Sequence, residues 1–266
     1  MKIALITLSP EGAIIVRRLV ESLGNAHVYL HQDVAPLPGE DSFPSILALT
    51  AEIFARFNGL IYVVPCGVAV RAIAPHVGSK RSDPAVVVVD VGGRYAISLL
   101  AGHEGGANEL AVQIANIIGG EPVITTTTEA LKNLIVGVGC RRGVSAGSII
   151  AAVQEALVEV GGKLVQVRFL ASADVKAGEE GLIRAAQELQ VPLRFIGGEE
   201  IRATVRKFTP SPLALKKINL PAVAEPAALL AGRRTELILP RKIYKGITVA
   251  IARENFLWSA SVPADL

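Results

Sequence analysis

Residues 98–111 read Ser-Leu-Leu-Ala-Gly-His-Glu-Gly-Gly-Ala-Asn-Glu-Leu-Ala, so an apolar strand pattern runs directly into a glycine-rich turn and then into a helix. This order of elements is typical of an α/β fold. Gly102, Gly105 and Gly106 let the backbone turn tightly and approach a ligand, and Asn108 can cap the helix, whose free amides favour an anion. A plain strand-to-helix connection with solvated polar residues explains the same pattern, and the turn alone does not decide between the two interpretations.

The composition is that of a globular protein. The chain has 266 residues, 51% hydrophobic and 19% charged, which is enough for one large or two modest domains and excludes a disordered chain. No uncharged apolar run approaches the ~20 residues that cross a bilayer, and Glu11 interrupts the region where a secretory signal would stay apolar. We therefore expect a cytoplasmic protein with no membrane partner. Cys66 and Cys140 are widely separated, so we expect neither a disulfide framework nor a cysteine zinc site.

The charges are distributed unevenly. Residues 1–130 hold 8 Lys and Arg against 12 Asp and Glu, whereas residues 131–266 hold 19 against 12. A basic half favours an acidic ligand, although a solvated charged surface is the commoner reason for such an excess. Only 5% of the residues are aromatic and no dense Lys/Arg run occurs, which argues against a nucleic-acid partner. A small polyanion fits this pattern better.

The first half of the chain alternates strand and helix patterns, beginning with a buried strand over residues 2–8 and a helix that continues to Leu23. Further strands are predicted over residues 27–31, 60–64 and 122–125, and further helices over 46–57 and 108–118. Residues 85–91 and 95–100 flank Gly92-Gly93-Arg94 and predict a hairpin. We expect these elements to form a first domain over residues 1–130.

A second domain is expected over residues 131–266, because a new strand begins at Leu134, where the charge balance changes sign. Ser145 can cap the next helix, and a hairpin of residues 237–239 with 247–251 is expected to end the sheet. Residues 208–221, with three prolines and Lys216-Lys217, form a long connection that is either ligand-facing or mobile. The predicted fold class is α/β with two domains, each a mostly parallel sheet flanked by helices with a terminal hairpin.

Two glycine motifs follow the strand at Leu134. Gly143 to Gly147 match the Gly-x-Ser-x-Gly pattern of serine hydrolases, but no histidine follows His103, so Ser145 is better interpreted as a helix cap. Residues 137–143 approximate a dinucleotide-binding loop, yet the spacing is one residue too long. Backbone amides beside Arg141 and Arg142 predict instead a receptor for a carboxylate or phosphate, with a solvated loop as the alternative.

Other candidate contacts lie in the first half. His27 and His31 have the spacing of a helical metal pair, but their segment alternates as a strand, which places the imidazoles ~13 Å apart and excludes a shared ion. Gly67, Arg71 and the loop with Lys80 are expected to follow carboxyl ends of strands, where open α/β sheets bind ligands. Arg71 and Lys80 are therefore candidate anion contacts, with complementation of helix C-terminal charge as the alternative.

Several of these segments together resemble the CbiG family, the cobalt-precorrin-5A hydrolases of anaerobic cobalamin synthesis. The resemblance rests on residues 67–75, 80–90 and 99–108 in the first half, and on residues 136–143 and 223–229 in the second. The second half also resembles the single-domain CobE-type protein. Many family members carry a middle segment between the two domains, whereas here Thr128 and Gly137 are almost adjacent, so the chain resembles a compact form.

The resemblance implies a reaction that opens the ring A δ-lactone of a cobalt-bound tetrapyrrole and releases a ring carbon with its methyl group as acetaldehyde, giving cobalt-precorrin-5B. The partner is then an anionic cobalt-tetrapyrrole that carries its own metal, so no protein-bound cofactor or metal site is expected. Its carboxylate rim agrees with the basic second half. A homodimer and other enzymes of the corrin pathway remain open as protein partners.

For this reaction, we expect the residues of the glycine turn to carry the chemistry. His103 would activate water, because imidazole exchanges protons near neutral pH, and Glu104 would orient it. The amides of Gly105, Gly106 and Ala107 would stabilise the oxyanion. The remaining expected substrate contacts are Gly67, Arg71, Lys80, Gly102, Asn108, Gly139, Arg141, Arg142 and Glu225. A corrinoid carrier without chemistry and a nucleotide-binding regulator are the alternatives.

Overall fold

The computed structural model describes residues 1–255, which form two compact units, one of Met1–Thr126 and one that begins at Thr127. Both units are α/β, as predicted. The first contains, in chain order, β1 (Ile3–Thr7), α1 (Pro10–Leu23), β2 (Ala26–His31), β3 (Asp41–Phe43), α2 (Ile46–Ile53), β4 (Gly59–Val63), α3 (Cys66–Ile73), β5 (Ala85–Val89), β6 (Tyr95–Leu100), α4 (Ala107–Ile118) and β7 (Glu121–Val123).

The seven strands of the first unit form one sheet in the order β3-β2-β1-β4-β5-β6-β7. Strands β1 to β5 run parallel, β6 pairs antiparallel with β5, and β7 is parallel to β6. The predicted hairpin is therefore present, but β7 follows it at the sheet edge. Alternate strand residues pack on α1 and α4 on one face and on α2 and α3 on the other, so the inner strands are buried on both sides.

Local sequence explains where the helices of this unit begin. The hydroxyls of Ser9 and Ser45 accept hydrogen bonds from the amides of Gly12 and Ala48, and Pro10 occupies the first turn of α1. The prediction that Asn108 caps α4 is wrong. Gly106, with φ of 84°, is the N-cap and Asn108 lies inside the first turn, because glycine adopts the left-handed backbone of that position without strain.

The second unit contains α5 (Thr127–Ala130), β8 (Leu134–Gly139), α6 (Ala146–Glu159), β9 (Val167–Ala173), α7 (Glu180–Leu189), β10 (Leu193–Ile196), α8 (Gly198–Ala203), α9 (Pro212–Ile218), α10 (Ala224–Leu230), β11 (Thr235–Tyr244) and β12 (Ile247–Glu254). Its sheet has the order β10-β9-β8-β12-β11, with β8, β9 and β10 parallel and the β11-β12 hairpin antiparallel. The hydroxyl of Ser145 caps α6 as predicted, by accepting from the amide of Ser148.

Helices α6 and α7 cover one face of the second sheet, and α10 packs on the other. The close approach of α10 depends on Gly137 in the middle of β8. A Cβ atom at Gly137 would lie 1.9 Å from the carbonyl oxygen of Ala224. Gly137 and Gly139 are thus strand residues. These glycines therefore do not form a dinucleotide-binding loop, because Gly137 lies in the middle of a strand and packs against α10. The alternative of a nucleotide-binding regulator loses its basis with that loop.

Candidate functional site

The turn after β6 is closed by its own backbone. The amides of Gly105 and Ala107 both donate to the carbonyl of Ala101, at 3.0 and 3.2 Å. Ala101 itself has a positive φ of 55°, a strained conformation for a residue with a side chain. Two of the three amides expected to stabilise an oxyanion are therefore occupied, and that part of the expected mechanism is wrong.

Small residues are required in this turn for steric reasons. A Cβ atom at Gly102 would lie 2.8 Å from Oδ1 of Asn108 and 2.9 Å from Cγ2 of Thr126, and one at Gly105 would lie 2.5 Å from Cβ of Ala101. The buried Asn108 side chain accepts from the Ser98 hydroxyl at 2.8 Å and donates to the Thr126 hydroxyl at 3.1 Å. Asn108 therefore fastens the turn to β6 and to the chain after β7, and its polar atoms are used inside the protein.

The hairpin of β5 and β6 decides at which edge of the sheet this turn lies. Because β6 is antiparallel, its last residue, Leu100, pairs with Val86 at the start of β5. The turn therefore lies at the amino-terminal edge of the parallel strands. The Lys80 loop feeds the start of β5 and lies at this same edge, so the prediction that it follows a carboxyl strand end is wrong.

Gly67 and Arg71 are on the other edge. They belong to α3, which begins directly after the carboxyl end of β4. The exposed Arg71 donates to the Gly67 carbonyl at 3.3 Å, one turn away in the same helix. The structure thus brings Lys80 to the glycine turn but places Gly67 and Arg71 across the length of the strands from it.

The Lys80 loop is held by a buried carboxylate. Asp83, which is 9% exposed, accepts from the amides of Gly78 and Ser79, each at 3.1 Å to Oδ1. This loop carries the Lys80 ammonium to within 2.9 Å of Oε1 of Glu104. The hydrogen bond from the Lys80 ammonium holds the pKa of the Glu104 carboxyl below its ordinary value. Both side chains are largely solvent-exposed, so the pair contributes little to stability.

His103 is exposed on the same turn and borders a shallow depression of about 620 Å³. Its neighbours there include Met1, Leu23, Glu109 and Gln113. Within residues 1–255, Glu104 pairs with Lys80 and makes no hydrogen bond to His103, so the expected orientation of the imidazole by Glu104 is wrong. The reason is geometric, since the adjacent loop presents a cation at hydrogen-bonding distance from Glu104.

The second unit contains a deeper cavity of about 370 Å³ beyond the carboxyl end of β8. Four of the predicted contacts line it together: Gly139, Arg141, Arg142 and Glu225. Three further cationic residues in its lining were missed from the sequence, namely Lys176, Lys217 and Arg241. Lys217 lies in the connection of residues 208–221, which the sequence analysis identified as ligand-facing or mobile. Lys176 and Arg241 come from distant elements, and no motif in the sequence around them indicates a site.

The cations of this cavity differ in how they are held. The guanidinium of Arg141 lies over Gly246 in the β11-β12 turn, where a Cβ atom would be 2.6 Å from Nη2. The Lys176 ammonium is 3.2 Å from Oε1 of Glu179, whose Oε2 accepts from the Gly143 amide at 3.2 Å. Burial raises the pKa of Glu179, but the bonds from Gly143 and Lys176 and the charge of Arg142 outweigh it and lower the pKa overall. Glu179 thereby stays ionised and fastens the arginine loop.

Glu225 is the buried acid of the cavity wall, with 1% exposure. Its Oε1 accepts from the Arg241 amide at 2.8 Å, and its Oε2 accepts from the Thr209 amide. The carboxylate therefore joins α10, β11 and the chain that leads to α9. Cys140 also lines the cavity, and burial raises the pKa of its thiol, which keeps it protonated at neutral pH.

Residues 1–255 offer neither a metal site nor a membrane-spanning helix. They contain no group of three or more His, Cys, Asp or Glu side chains that could hold a metal ion. None of the helices in this range is long and apolar enough to cross a bilayer.

Two family models match the chain. The model described as "Cobalamin synthesis G N-terminal" matches residues 48–129, and "Cobalamin synthesis G C-terminus" matches residues 134–252. Only four residues separate the two matches. Together they cover most of the chain.

Individual relatives agree with these models. A cobalt-precorrin-5A hydrolase of Priestia megaterium is 24% identical over 306 residues, covering 78% of this chain and 82% of that protein. That alignment is longer than the 266 residues of this chain, so the relative contains stretches with no counterpart here. A cobalt-precorrin-5A hydrolase of Salmonella typhimurium is 41% identical over 128 residues, covering 48% of this chain and 36% of that protein.

The protein CobE of a Sinorhizobium species is 34% identical over 128 residues, covering 47% of this chain and 83% of that protein. With the two matched models, this similarity shows that the chain belongs to the CbiG family of cobalamin-synthesis hydrolases, in a compact form.

Proposed function

We propose that this protein is a cobalt-precorrin-5A hydrolase, which opens the ring A δ-lactone of its substrate and releases acetaldehyde to give cobalt-precorrin-5B. The names of the Priestia and Salmonella relatives support this proposal. Cobalt enters as part of the substrate, so the chemistry requires no metal held by the protein itself.

The observation that carries the proposal is the basic cavity of the second unit. Its volume of about 370 Å³ is in the range of small-molecule sites, and five cationic residues line it against the single carboxylate of Glu225. Leu213, Ile218 and Val223 give the cavity an apolar part. A tetrapyrrole combines an apolar ring with a rim of carboxylates, so it matches both features of this lining.

In the first unit, we assign His103 as the base that activates water for attack on the lactone carbonyl. Its imidazole is exposed and has no hydrogen bond or ion pair to any residue of the described range, which leaves both ring nitrogens open to water and substrate. Glu104 and Lys80 hold the turn and the adjacent loop together. Lys80 is also a cation at this edge that can stabilise a developing negative charge.

The test is anaerobic incubation with cobalt-precorrin-5A while released acetaldehyde is trapped as a hydrazone. We expect the wild-type protein to release one acetaldehyde per substrate. His103→Ala should bind substrate but lose turnover ~100-fold or more, which is the usual contribution of a general base. His27→Ala removes an exposed histidine of the same unit that lies outside the depression, and it should behave as wild type.

Two results would contradict parts of the proposal. Near-normal turnover by His103→Ala would remove the base assignment while leaving the hydrolase. Absence of acetaldehyde with the wild-type protein would overturn the hydrolase itself.

A corrinoid carrier is the second candidate, and a specific observation favours it. Two of the three amides expected to stabilise an oxyanion are consumed internally, whereas the second unit has a formed cavity, and the chain matches CobE over 83% of that protein's length. Stoichiometric binding of cobalt-precorrin-5A without acetaldehyde would support the carrier over the hydrolase.

A further inference from the structure

Helix α9 forms one wall of the cavity but is not packed into the hydrophobic core of the second unit. None of its seven residues is buried. Leu213, Ala214, Lys217 and Ile218 line the cavity, and their spacing places them on one face of the helix. Leu213 is nevertheless 57% exposed. The inward face of α9 therefore rests against the open cavity.

The connections of α9 to the rest of the unit lie near the ends of its segment. The Ser211 amide donates to the Pro221 carbonyl at 2.7 Å, and Arg202 donates to the Asn219 carbonyl at 3.0 Å. The Thr209 amide donates to Glu225 before the helix begins. Such a segment, fixed at its ends and poor in buried contacts, belongs to the low-stability part of a fold.

Lys217 is the cation that α9 contributes to the cavity. Unlike Lys176, which is paired with Glu179, Lys217 has no ion pair or side-chain hydrogen bond to any of residues 1–255. Its neighbour Lys216 lies on the same helix but does not line the cavity. An unpaired cation beside Leu213 and Ile218 suits a ligand with an apolar surface and a carboxylate at its margin.

We infer that α9 is a cover that closes on the ligand of the cavity, with Leu213 and Ile218 packing on the face of the macrocycle and Lys217 binding one peripheral carboxylate. Lys217 is then a specificity-determining residue for polycarboxylic tetrapyrroles. This inference rests on the proposed function, since it takes the tetrapyrrole as the occupant. Ligand binding supplies the buried contacts that α9 lacks and thereby stabilises the helix.

The experiment uses the full chain and uroporphyrin III, a tetrapyrrole with eight carboxylates, as the probe in a fluorescence titration. We expect Lys217→Ala to bind about tenfold more weakly, the effect of losing one charge-assisted contact. The matched control Lys216→Ala should bind within about twofold of wild type, because that side chain lies outside the cavity. In parallel, trypsin cleavage after Lys216 and Lys217 is followed by mass spectrometry, and bound probe should slow it in the wild-type protein.

The outcomes separate the inference from the proposed function. Suppose that wild type and Lys217→Ala bind uroporphyrin III equally well and that the bound probe does not slow cleavage in α9. The inference that α9 closes on the ligand is then overturned, and the hydrolase proposal stands. Weaker binding by Lys217→Ala without protection of α9 overturns the closure alone. If the wild-type protein binds neither uroporphyrin III nor cobalt-precorrin-5A, the proposed function fails, and the inference fails with it.

Discussion

The ammonium of Lys80 lies 2.9 Å from Oε1 of Glu104, and this contact joins the loop before β5 to the turn after β6. The two connections meet because β6 runs antiparallel to β5 and returns the chain to the amino-terminal edge of the sheet. Lys80 is thereby placed beside the turn that carries His103.

Replacing Lys80 with Ala should raise the pKa of Glu104 toward its ordinary value. Lys80 is the main cause of the lowered pKa, so Lys80→Arg, which keeps the charge, should preserve it. A lowered carboxyl pKa contributes stability above the ordinary pKa, and that contribution is lost as pH falls through the lowered value. The titration of the Glu104 carboxyl followed by NMR checks this, and identical curves for wild type and Lys80→Ala would show that the pair does not form in solution.

Gly137→Ala should destabilise the second unit strongly. The new Cβ atom would lie 1.9 Å from the Ala224 carbonyl oxygen, so α10 must move away from β8. Overpacking of this kind costs about 1–3 kcal/mol or more. Gly147→Ala is the matched control, because nothing lies within 4 Å of its added Cβ, and helix propensity favours alanine there by up to about 1 kcal/mol. Urea unfolding monitored by circular dichroism measures both, and equal midpoints would contradict the packing of α10.

Glu225→Ala should lower the free energy of unfolding of the second unit by about 1.5–3 kcal/mol, because it removes a charged acceptor from two backbone amides. Thr209→Val is its control. It removes only a side-chain contact to Glu225 at 3.4 Å and keeps the backbone hydrogen bond, so its cost should stay below about 0.5 kcal/mol. The same urea experiment distinguishes the two variants. An unchanged free energy of unfolding in Glu225→Ala would refute the structural role of this carboxylate.

Tyr244 should make the second unit less stable in alkali. Burial, together with the hydrogen bond that the hydroxyl donates to Glu159 at 2.9 Å, raises the pKa of Tyr244 from 10.0 to about 12. The unfolded chain therefore loses this proton first, and the stabilisation that is complete below pH 10 disappears as pH rises to about 12. Tyr244→Phe should flatten the fall in urea midpoint across this interval. An unchanged slope would show that Tyr244 does not titrate as described.

Local sequence patterns predicted much of the fold. The alternation of strands and helices, the hairpin of β5 and β6, and the Ser145 cap were confirmed because each depends on residues close in sequence. β3, α8 and α9 were missed, since runs of three to seven residues are too short for a hydrophobic period to identify.

The glycine turn at residues 101–106 marks the limit of what the sequence by itself determined. Its glycines, its histidine and the basic character of the second half can be recognised from residue types and short spacings. The predicted hairpin already makes β6 antiparallel, but only the tertiary structure decided that the turn carrying His103 meets the Lys80 loop, through Glu104, and lies away from Arg71. It also decided that Arg142, Lys176, Lys217 and Arg241 line one cavity. The order of strands in each sheet and long-range packing set these neighbours, and neither is encoded in any single segment.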